Sequence, residues 1–128
     1  MKPVRIALFA PGIKERVMTK ALGSGADAVI LDLEDSVPLA SKAEARAMVS
    51  NVIDGVAAAG AAPAIFVRTN ASATGLLGDD LAAVVRPGLD AVILPKVESV
   101  AEIESAAAVL SRHEAATGMK DGTVAIIL

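Results

Sequence analysis

Short apolar segments alternate with longer segments of helical periodicity along the whole chain. Five of the short segments are rich in β-branched residues, as strands buried on both faces of a sheet are. They cover residues 6–9, 28–33, 64–67, 91–94 and 124–128. Between the second and third of them, apolar side chains recur at helical spacing, at Ala45, Met48, Val49, Val52, Ile53 and Val56. The pattern therefore predicts the order β-α-β-α-β-α-β-α-β.

Two of the predicted helices begin with a capping box, which is a Ser followed three residues later by a Glu. One box pairs Ser41 with Glu44, and the other pairs Ser99 with Glu102. Glycines stand where helices are expected to stop, and prolines reinforce two of these stops. The residues are Gly23, Gly25, Gly60, Gly88 and Gly118, with Pro63 and Pro87.

Alternating strands and helices form a parallel sheet with right-handed crossovers, which places the chain in the α/β class. The sequence Asp-Ala-Val-Ile-Leu occurs at residues 27–31 and again at 90–94, two β-α units later. Each unit is about 30 residues long, so eight units would fill a TIM (β/α)8 barrel of about 250 residues. We therefore expect residues 1–128 to form a partial barrel domain, about the first half from β1-α1 to β5, truncated at the C-terminus.

A flavodoxin-like receiver domain is the alternative fold, because it also has five parallel strands with carboxylates at their ends. Such a receiver carries an acidic pair after its first strand, where this chain has Ala10-Pro11-Gly12. It also needs a helix after the fifth strand, for which no residues remain. The pattern favours the barrel.

The composition mainly excludes classes of partner and of structural support. A hydrophobic fraction of 54% with 21% charged residues is typical of a globular chain. The net charge of −3 and the presence of only two aromatic residues disfavour nucleic acid as a partner. No apolar run approaches the roughly 18 residues that span a bilayer, so we expect no membrane association. The absence of cysteine excludes disulfides and thiolate-bound zinc, and it agrees with the cytoplasmic location that we expect.

Polar residues follow the predicted strands at their carboxyl ends, where parallel α/β folds carry functional sites. Asp32, Glu34 and Asp35 follow the second strand. Three carboxylates this close together are typical of a site for a hard cation, and equally of a solvated loop that caps the next helix. Arg68 closes the third strand, where it either clamps a substrate carboxylate or forms an internal salt bridge to these acidic residues.

Lys96 follows the fourth strand, directly after Pro95. It is a candidate for an electrostatic group or a Schiff-base amine. An ion pair with Glu98 is the more ordinary role, and we favour it.

Four blocks of the chain, taken in order and spacing, resemble the N-terminal half of the HpcH/HpaI aldolase and citrate lyase β-subunit family. The first is Leu8-Phe9-Ala10-Pro11-Gly12 with Arg16, and the second runs from residue 25 to residue 35 and contains Leu-Asp-Leu-Glu-Asp. The others are Val67-Arg68-Thr69-Asn70 and Leu94-Pro95-Lys96-Val97-Glu98-Ser99. The resemblance covers nearly the whole chain.

The resemblance implies an enzyme, a carbon–carbon lyase. Members of the family cleave or form carbon–carbon bonds in 3-hydroxy acids, commonly as CoA thioesters such as citryl-CoA or malyl-CoA, with Mg²⁺ as cofactor. Arg68 matches the arginine that binds carboxylate or carbonyl oxygens of the substrate, and Asp32, Glu34 and Asp35 match the acidic loop that borders the metal and substrate. These four are the catalytic candidates. The candidates for substrate binding are Arg68, Pro11, Gly12, Arg16, Asn70 and Lys96.

The resemblance also places the family's two metal-ligating carboxylates beyond Leu128. We therefore expect no metal ligand in this chain, and weak Mg²⁺ binding and little turnover by the chain alone. A half barrel exposes sheet edges, so we expect a homo-oligomer or a complementary barrel half as partner. The alternative function is a non-catalytic remnant or interaction subunit that keeps Arg68.

Overall fold

A computed structural model describes residues 3–60 and 62–128 of the chain. Within these residues, strands and helices alternate as the sequence predicts, and every predicted strand is confirmed to within two residues at either end. The strands are β1 (Ala7–Pro11), β2 (Ala28–Asp32), β3 (Ala64–Arg68), β4 (Ala91–Ile93) and β5 (Ala125–Ile127). The α-helices are α1 (Glu15–Leu22), α2 (Lys42–Ala59), α3 (Leu77–Val84) and α4 (Val100–Ala116).

The strands form one parallel sheet in the order β1-β2-β3-β4-β5, so each strand pairs with its neighbour in sequence. A flavodoxin-like receiver would place its first strand in the interior of the sheet. The receiver alternative is therefore wrong. Sequential order is what the successive β-α units of a barrel produce.

All four helices pack on the same face of this sheet. Their buried side chains join those of the outward-facing strand residues in one continuous core, which includes Met18 of α1, Val49 and Ile53 of α2, Leu81 of α3 and Leu110 of α4. A doubly wound sheet would carry helices on both faces. The one-sided arrangement leaves the opposite face to become the interior of a barrel.

The opposite face, here called the inner face, is arranged in rows across the sheet. One row consists of Phe9, Ile30, Phe66, Ala91 and Ala125, and the next row toward the carboxyl ends consists of Pro11, Asp32, Arg68, Ile93 and Ile127. The first row is apolar, and the second contains the charged pair. Inward-facing strand residues such as these fill the interior of a (β/α)8 barrel.

The repeated Asp-Ala-Val-Ile-Leu sequence has a structural role at the amino ends of the strands. Asp27 accepts a hydrogen bond from the Ile6 N–H at 2.9 Å through its carboxylate, and its own N–H donates to the Ile6 carbonyl at 3.0 Å. Asp90 makes the same pair of contacts with Ile65, at 2.8 and 2.9 Å. We call each arrangement a strand clasp. In each clasp an aspartate that directly precedes one strand binds the preceding strand near its start. Asp27, before β2, binds Ile6, which precedes β1, and Asp90, before β4, binds Ile65 of β3.

The two predicted capping boxes have different outcomes. Ser99 is extended, at φ −148° and ψ 156°, and its hydroxyl accepts a hydrogen bond from the Glu102 N–H, so Ser99 is confirmed as the cap. The Glu102 carboxylate accepts from the Glu98 N–H and not from that of Ser99. Ser41 makes no side-chain capping bond, and that part of the prediction is wrong. Ser41 ends a 3-10 turn, at φ −104° and ψ 1°, and a capping residue needs an extended backbone to direct its hydroxyl at the helix.

Gly12 lies where the loop after β1 passes closest to β2. Its N–H donates to the Asp32 carbonyl at 2.8 Å. A Cβ atom at this position would lie 2.6 Å from that oxygen and 2.9 Å from Val49 Cγ2. Only glycine permits this approach, which holds the β1–α1 loop against the end of β2.

Candidate functional site

Asp32 and Arg68 form an ion pair at the carboxyl ends of β2 and β3. Arg68 Nε donates to Asp32 Oδ1 at 2.7 Å, and Arg68 Nη2 donates to Asp32 Oδ2 at 3.0 Å. Asp32 is buried, and it also accepts from the Glu34 N–H and from the N–H and hydroxyl of Ser36. The carboxylate therefore has little capacity left for any further ligand.

The charges of this pair are mutually reinforced. Burial alone would raise the pKa of Asp32, but the hydrogen bonds from Arg68, Ser36 and Glu34 outweigh it and lower the pKa to about 2. The hydrogen bond to Asp32 raises the pKa of Arg68 in turn, with burial opposing it. Asp32 stays ionised at neutral pH, which suits it to orient Arg68 and not to transfer protons.

The guanidinium of Arg68 is held by Asp32 at one edge and by the ring of Phe9 below its plane. Phe9 lies beneath it, with 4.8 Å between the guanidinium carbon and the ring centroid, a cation–π contact. Glu34 Oε1 lies 3.7 Å from Nη1, which is too long for a hydrogen bond. Within the described residues, only one edge of the guanidinium is used in hydrogen bonds, and the N–H groups of the other edge, beside Glu34, make none.

Lys96 connects the acidic loop to the end of β4. Its Nζ lies 3.3 Å from Glu34 Oε2 and 3.7 Å from Asp35 Oδ1. Hydrogen bonding to Glu34, together with the charge of Asp35, raises the pKa of Lys96, so the amine stays protonated and is a poor nucleophile. The expected ion pair with Glu98 is wrong, because Lys96 has a left-handed backbone, with φ 54°, and its side chain reaches the β2 loop instead.

Lys42 fixes the other side of the acidic loop. Its Nζ donates to the carbonyl oxygens of Leu33 and Glu34 at 2.7 and 2.6 Å. Beside this loop lies a groove of about 620 Å³, whose walls include Glu34, Asp35, Lys42 and Lys96. Its lining comes from the loops after β2, β3 and β4 and from the starts of α2 and α4, and Arg68 is not part of it.

Asn70 follows Arg68 by two residues and is buried. Its backbone N–H and its Nδ2 both donate to Asp80 Oδ2, each at 2.7 Å. Asp80 is fully buried in the first turns of α3, and its Oδ1 accepts from Arg46 Nε of α2 at 2.7 Å. The role of Asn70 in substrate binding stays a prediction, with part of its amide already used by Asp80.

The candidates of the first block lie at the end of β1. Pro11 is in register with Asp32 at the inner-face row, and Gly12 contacts the Asp32 carbonyl. Arg16 lies on α1, is exposed, and makes no ion pair within the described residues. The structure thus brings Pro11 and Gly12 next to the ion pair and leaves Arg16 outside it.

The carboxylates of the acidic loop do not fit a magnesium site by themselves. Asp32 is saturated by Arg68 and by hydrogen-bond donors of its own loop, and Glu34 and Asp35 are paired with cations. Over residues 3–60 and 62–128, no three His, Cys, Asp or Glu side chains converge as metal ligands would. The loop therefore serves as a counterion for Arg68 and Lys96.

Sequence reasoning missed several residues that build this site, namely Ser36, Lys42, Arg46 and Asp80. Ser36 follows the acidic trio and bonds to Asp32, and a Ser close after an Asp in a loop is the local signal for such a contact. No local sequence pattern indicates that Asp80 or Arg46 belongs to the site, because their partners are distant in sequence. Asp80 reads as a first-turn residue that favours the helix dipole, and Arg46 as a solvated helix residue.

A parallel sheet in sequential order, with helices on one face and an Arg–Asp pair at the carboxyl ends, is the architecture of half of a β-α barrel. The HpcH/HpaI aldolase/citrate lyase family matches residues 5–128, and the chain belongs to this family.

A curated relative is the (3S)-malyl-CoA thioesterase of Cereibacter sphaeroides. It is 38% identical over 108 residues, which cover 84% of this chain and 37% of that protein. A solved structure of a citrate lyase beta subunit from M. tuberculosis, complexed with oxaloacetate and magnesium, has a TM-score of 0.60 at 33% identity, covering 77% of this chain and 41% of that one. The chain thus spans about two fifths of the length of the relatives it matches.

The malate synthase of Haloferax volcanii, in a magnesium/glyoxylate complex, has the same fold over more of the chain. Its TM-score is 0.82 at 17% identity, covering 96% of this chain and 41% of that one. At this identity the similarity concerns the fold alone.

None of the helices in the described part of the chain is both long and apolar enough to cross a membrane.

Proposed function

We propose that residues 1–128 form the substrate-carboxylate side of a carbon–carbon lyase, which cleaves or forms 3-hydroxyacyl-CoA thioesters such as malyl-CoA or citryl-CoA. The relatives support this choice of substrates, since one is named for malyl-CoA and another was crystallised with oxaloacetate. The chain is then a partial barrel domain whose site faces the carboxyl ends of the strands.

The observation that carries the proposal is the Arg68 guanidinium, which is fixed by Asp32 on one edge and unbonded on the other. A guanidinium edge with two parallel N–H groups matches a carboxylate or an α-oxo acid. Asp32 and Phe9 restrict its rotation, so little conformational freedom is lost when an anion binds. A solvated surface arginine would lack both restraints.

The chemistry requires a positive charge at this place. When the carbon–carbon bond of a 3-hydroxyacyl thioester breaks, the hydroxyl loses its proton and becomes the carbonyl of an oxo acid. The electron pair of the broken bond moves to the thioester, which becomes an enolate until it is protonated. Arg68 holds the carboxylate of the oxo-acid portion in place and stabilises negative charge on the adjacent oxygen.

Mg²⁺ enters this proposal only as a family cofactor. In a lyase of this kind a bound Mg²⁺ polarises the oxygens of the oxo acid. The loop carboxylates do not fit as its ligands, because Arg68 and Lys96 already neutralise them. We infer that the ligands are supplied by residues outside 1–128, in a complementary barrel half or a longer chain.

Asp35 and Lys96 lie at the outer rim of the same loop. Lys96 Nζ is exposed, and Glu34 and Asp35 offset its charge, so we propose it as a local contact for an anionic group of the thioester and not as a long-range attractor. Arg16, on α1, is an exposed cation without an ion pair in the described residues. We assign Arg16 to substrate attraction, and Arg68 to the binding of the reacting portion.

The test is lyase activity with malyl-CoA and citryl-CoA, with and without Mg²⁺. Purified 1–128 is compared with a version extended through the downstream reading frame. Activity in the extended protein alone is the expected result. Activity in 1–128 itself would contradict the assignment of the metal ligands to other residues, and inactivity of both proteins would favour a non-catalytic interaction subunit.

A further inference from the structure

The acid Asp80 lies away from the Arg68 site but is connected to it through buried hydrogen bonds. Asp80 is fully buried, and its two carboxylate oxygens accept three hydrogen bonds, each of 2.7 Å. Two come from the N–H and the amide of Asn70, and one comes from Arg46. A buried carboxylate is retained only where its partners compensate the loss of water, and here they do.

The position of these partners gives the acid a role in the site. Asn70 begins the loop that leaves β3 immediately after Arg68 and Thr69, and Asp80 reaches back across ten residues to hold it. Arg46 links the same acid to α2. The loop is therefore fixed to both α2 and α3 at one point, two residues from the guanidinium that the proposed function requires.

The other contacts at the end of β3 are to strands and not to helices. The Leu33 N–H donates to the Arg68 carbonyl at 2.9 Å, and the Thr69 N–H donates to the Ile93 carbonyl at 3.1 Å. These bonds set β3 in the sheet, and they end before Asn70. Asp80 adds a restraint at Asn70 that comes from the helices.

We propose that Asp80, with Arg46, is a positioning residue for Arg68. It fixes the loop after β3 so that the free edge of the guanidinium faces the inner side of the barrel at a constant place. Asp80 touches no substrate in this proposal. A displacement of about 1 Å at a binding group can reduce its effect by up to two orders of magnitude, so the restraint matters for the ligand.

The experiment compares Asp80→Asn with Asp54→Asn in the chain 1–128. Both variants remove one carboxylate and one Asp–Arg pair that involves α2, since Asp54 pairs with Arg86 at 2.8 Å. Asp54 is half exposed and has no contact with the β3 loop, so it is the matched control. An asparagine at 80 keeps one acceptor oxygen and turns its NH2 toward either the donors of Asn70 or that of Arg46, so the connection between the loop and α2 through this side chain is broken.

Two readouts are measured under conditions in which the amide NMR spectrum shows each variant to be folded. One is the affinity for oxaloacetate, and the other is the chemical shift of the Arg68 Nε–Hε group. We expect D80N to bind oxaloacetate about tenfold more weakly than the unaltered chain and to move the Arg68 signal, while D54N changes neither. A folded D80N with unchanged affinity and an unchanged Arg68 signal would overturn the proposal.

Arg46→Met is the second variant, because D80N itself is at risk of not folding. It keeps the bonds between Asn70 and Asp80 and removes the cation, so we expect the same changes at smaller size. If D80N does not fold, R46M decides, and an unmoved Arg68 signal in R46M counts against the proposal. The affinity readout rests on the proposed function. Should the unaltered chain bind no oxaloacetate, that function fails, while the Arg68 signal still tests the positioning.

Discussion

Asp32 and Arg68 lie opposite one another on neighbouring strands and are joined by two hydrogen bonds, at 2.7 and 3.0 Å. The same contact connects β2 to β3 and directs the guanidinium along the inner face. Bidentate pairs of this kind fix geometry as well as charge. The stability of the fold and the binding of an anion therefore both depend on this ion pair, and separate measurements can test each.

The stability of the fold should depend on pH through Asp32. Its pKa of about 2 lies below the ordinary value of 3.8, so the ion pair stabilises the fold above pH 4 and is lost as the pH falls toward 2. Between pH 5 and pH 2, the free energy of unfolding should fall by about 2 kcal/mol more in the unaltered chain than in Asp32→Asn. Urea denaturation at several pH values measures this.

Asp79→Asn is the control for this prediction, because Asp79 is exposed and makes no ion pair within the described residues. It should lose stability with pH as the unaltered chain does. Identical pH dependence in D32N and D79N would show that the ion pair contributes nothing to stability.

The shape of the guanidinium should matter for binding, and not its charge alone. Arg68→Lys keeps the positive charge but cannot hold Asp32 and an anion with two parallel pairs of N–H groups. We expect its affinity for oxaloacetate, measured by NMR titration, to be about tenfold weaker or worse. Arg112→Lys, on the exposed side of α4, should bind as the unaltered chain does. Equal affinities in R68K and R112K would exclude Arg68 as the binding group.

The approach of the β1–α1 loop to β2 should depend on the absence of a side chain at Gly12. In Gly12→Ala the added Cβ would meet the Asp32 carbonyl at 2.6 Å, and we expect a loss of about 1–3 kcal/mol in unfolding free energy. Gly55→Ala is the matched control within α2, where a Cβ meets nothing within 4 Å. It should gain up to about 1 kcal/mol, because alanine favours a helix. Chemical denaturation compares them, and a G12A as stable as G55A would refute the packing argument.

The loop that leads into β5 should depend on Glu114 for its position, and the fold should depend on it for part of its stability. This carboxylate is fully buried at the end of α4, and its two oxygens accept from the N–H groups of Gly122 and Val124 at 2.8 and 2.7 Å. Glu114→Gln replaces one acceptor with a donor, so a buried N–H loses its partner at a cost of about 1–3 kcal/mol. Glu104→Gln, exposed on the same helix, should change stability by less than about 0.5 kcal/mol. Thermal unfolding of the two variants distinguishes a buried from a solvated role.

The strands follow from the sequence, because apolar β-branched runs of this length are typical of a parallel sheet, and their sequential order was expected from the barrel that eight such units would form. Ser99 was predictable as a helix cap because a Glu follows it three residues later. Ser41 carries the same motif, yet the turn before it sets its backbone, and a motif read from residue types alone contains no backbone angle. Local patterns therefore predict elements better than they predict the bonds at their ends.

The acids at the centre of the structure were harder to predict. Asp32 and Arg68 were expected at adjacent strand ends, since both close apolar runs of a parallel sheet. Asp80 and Glu114 were not expected inside, because aspartate and glutamate are mostly exposed and their partners are distant in sequence, at Arg46 or in a later loop. Only the packing of α2 against α3 brings Arg46 and Asp80 together.

The two strand clasps group the strands in pairs at their amino ends. Asp27 connects β1 to β2, and Asp90 connects β3 to β4. Between β2 and β3, the amino end is held by the backbone bond from the Ala64 N–H to the Asp27 carbonyl, without a carboxylate. At the amino ends, these four strands are thus linked by carboxylates in two pairs, whereas the Asp32–Arg68 ion pair joins β2 to β3 at the opposite end. Amide hydrogens in the bonds between β2 and β3 should therefore exchange faster at the amino ends than those held by a clasp.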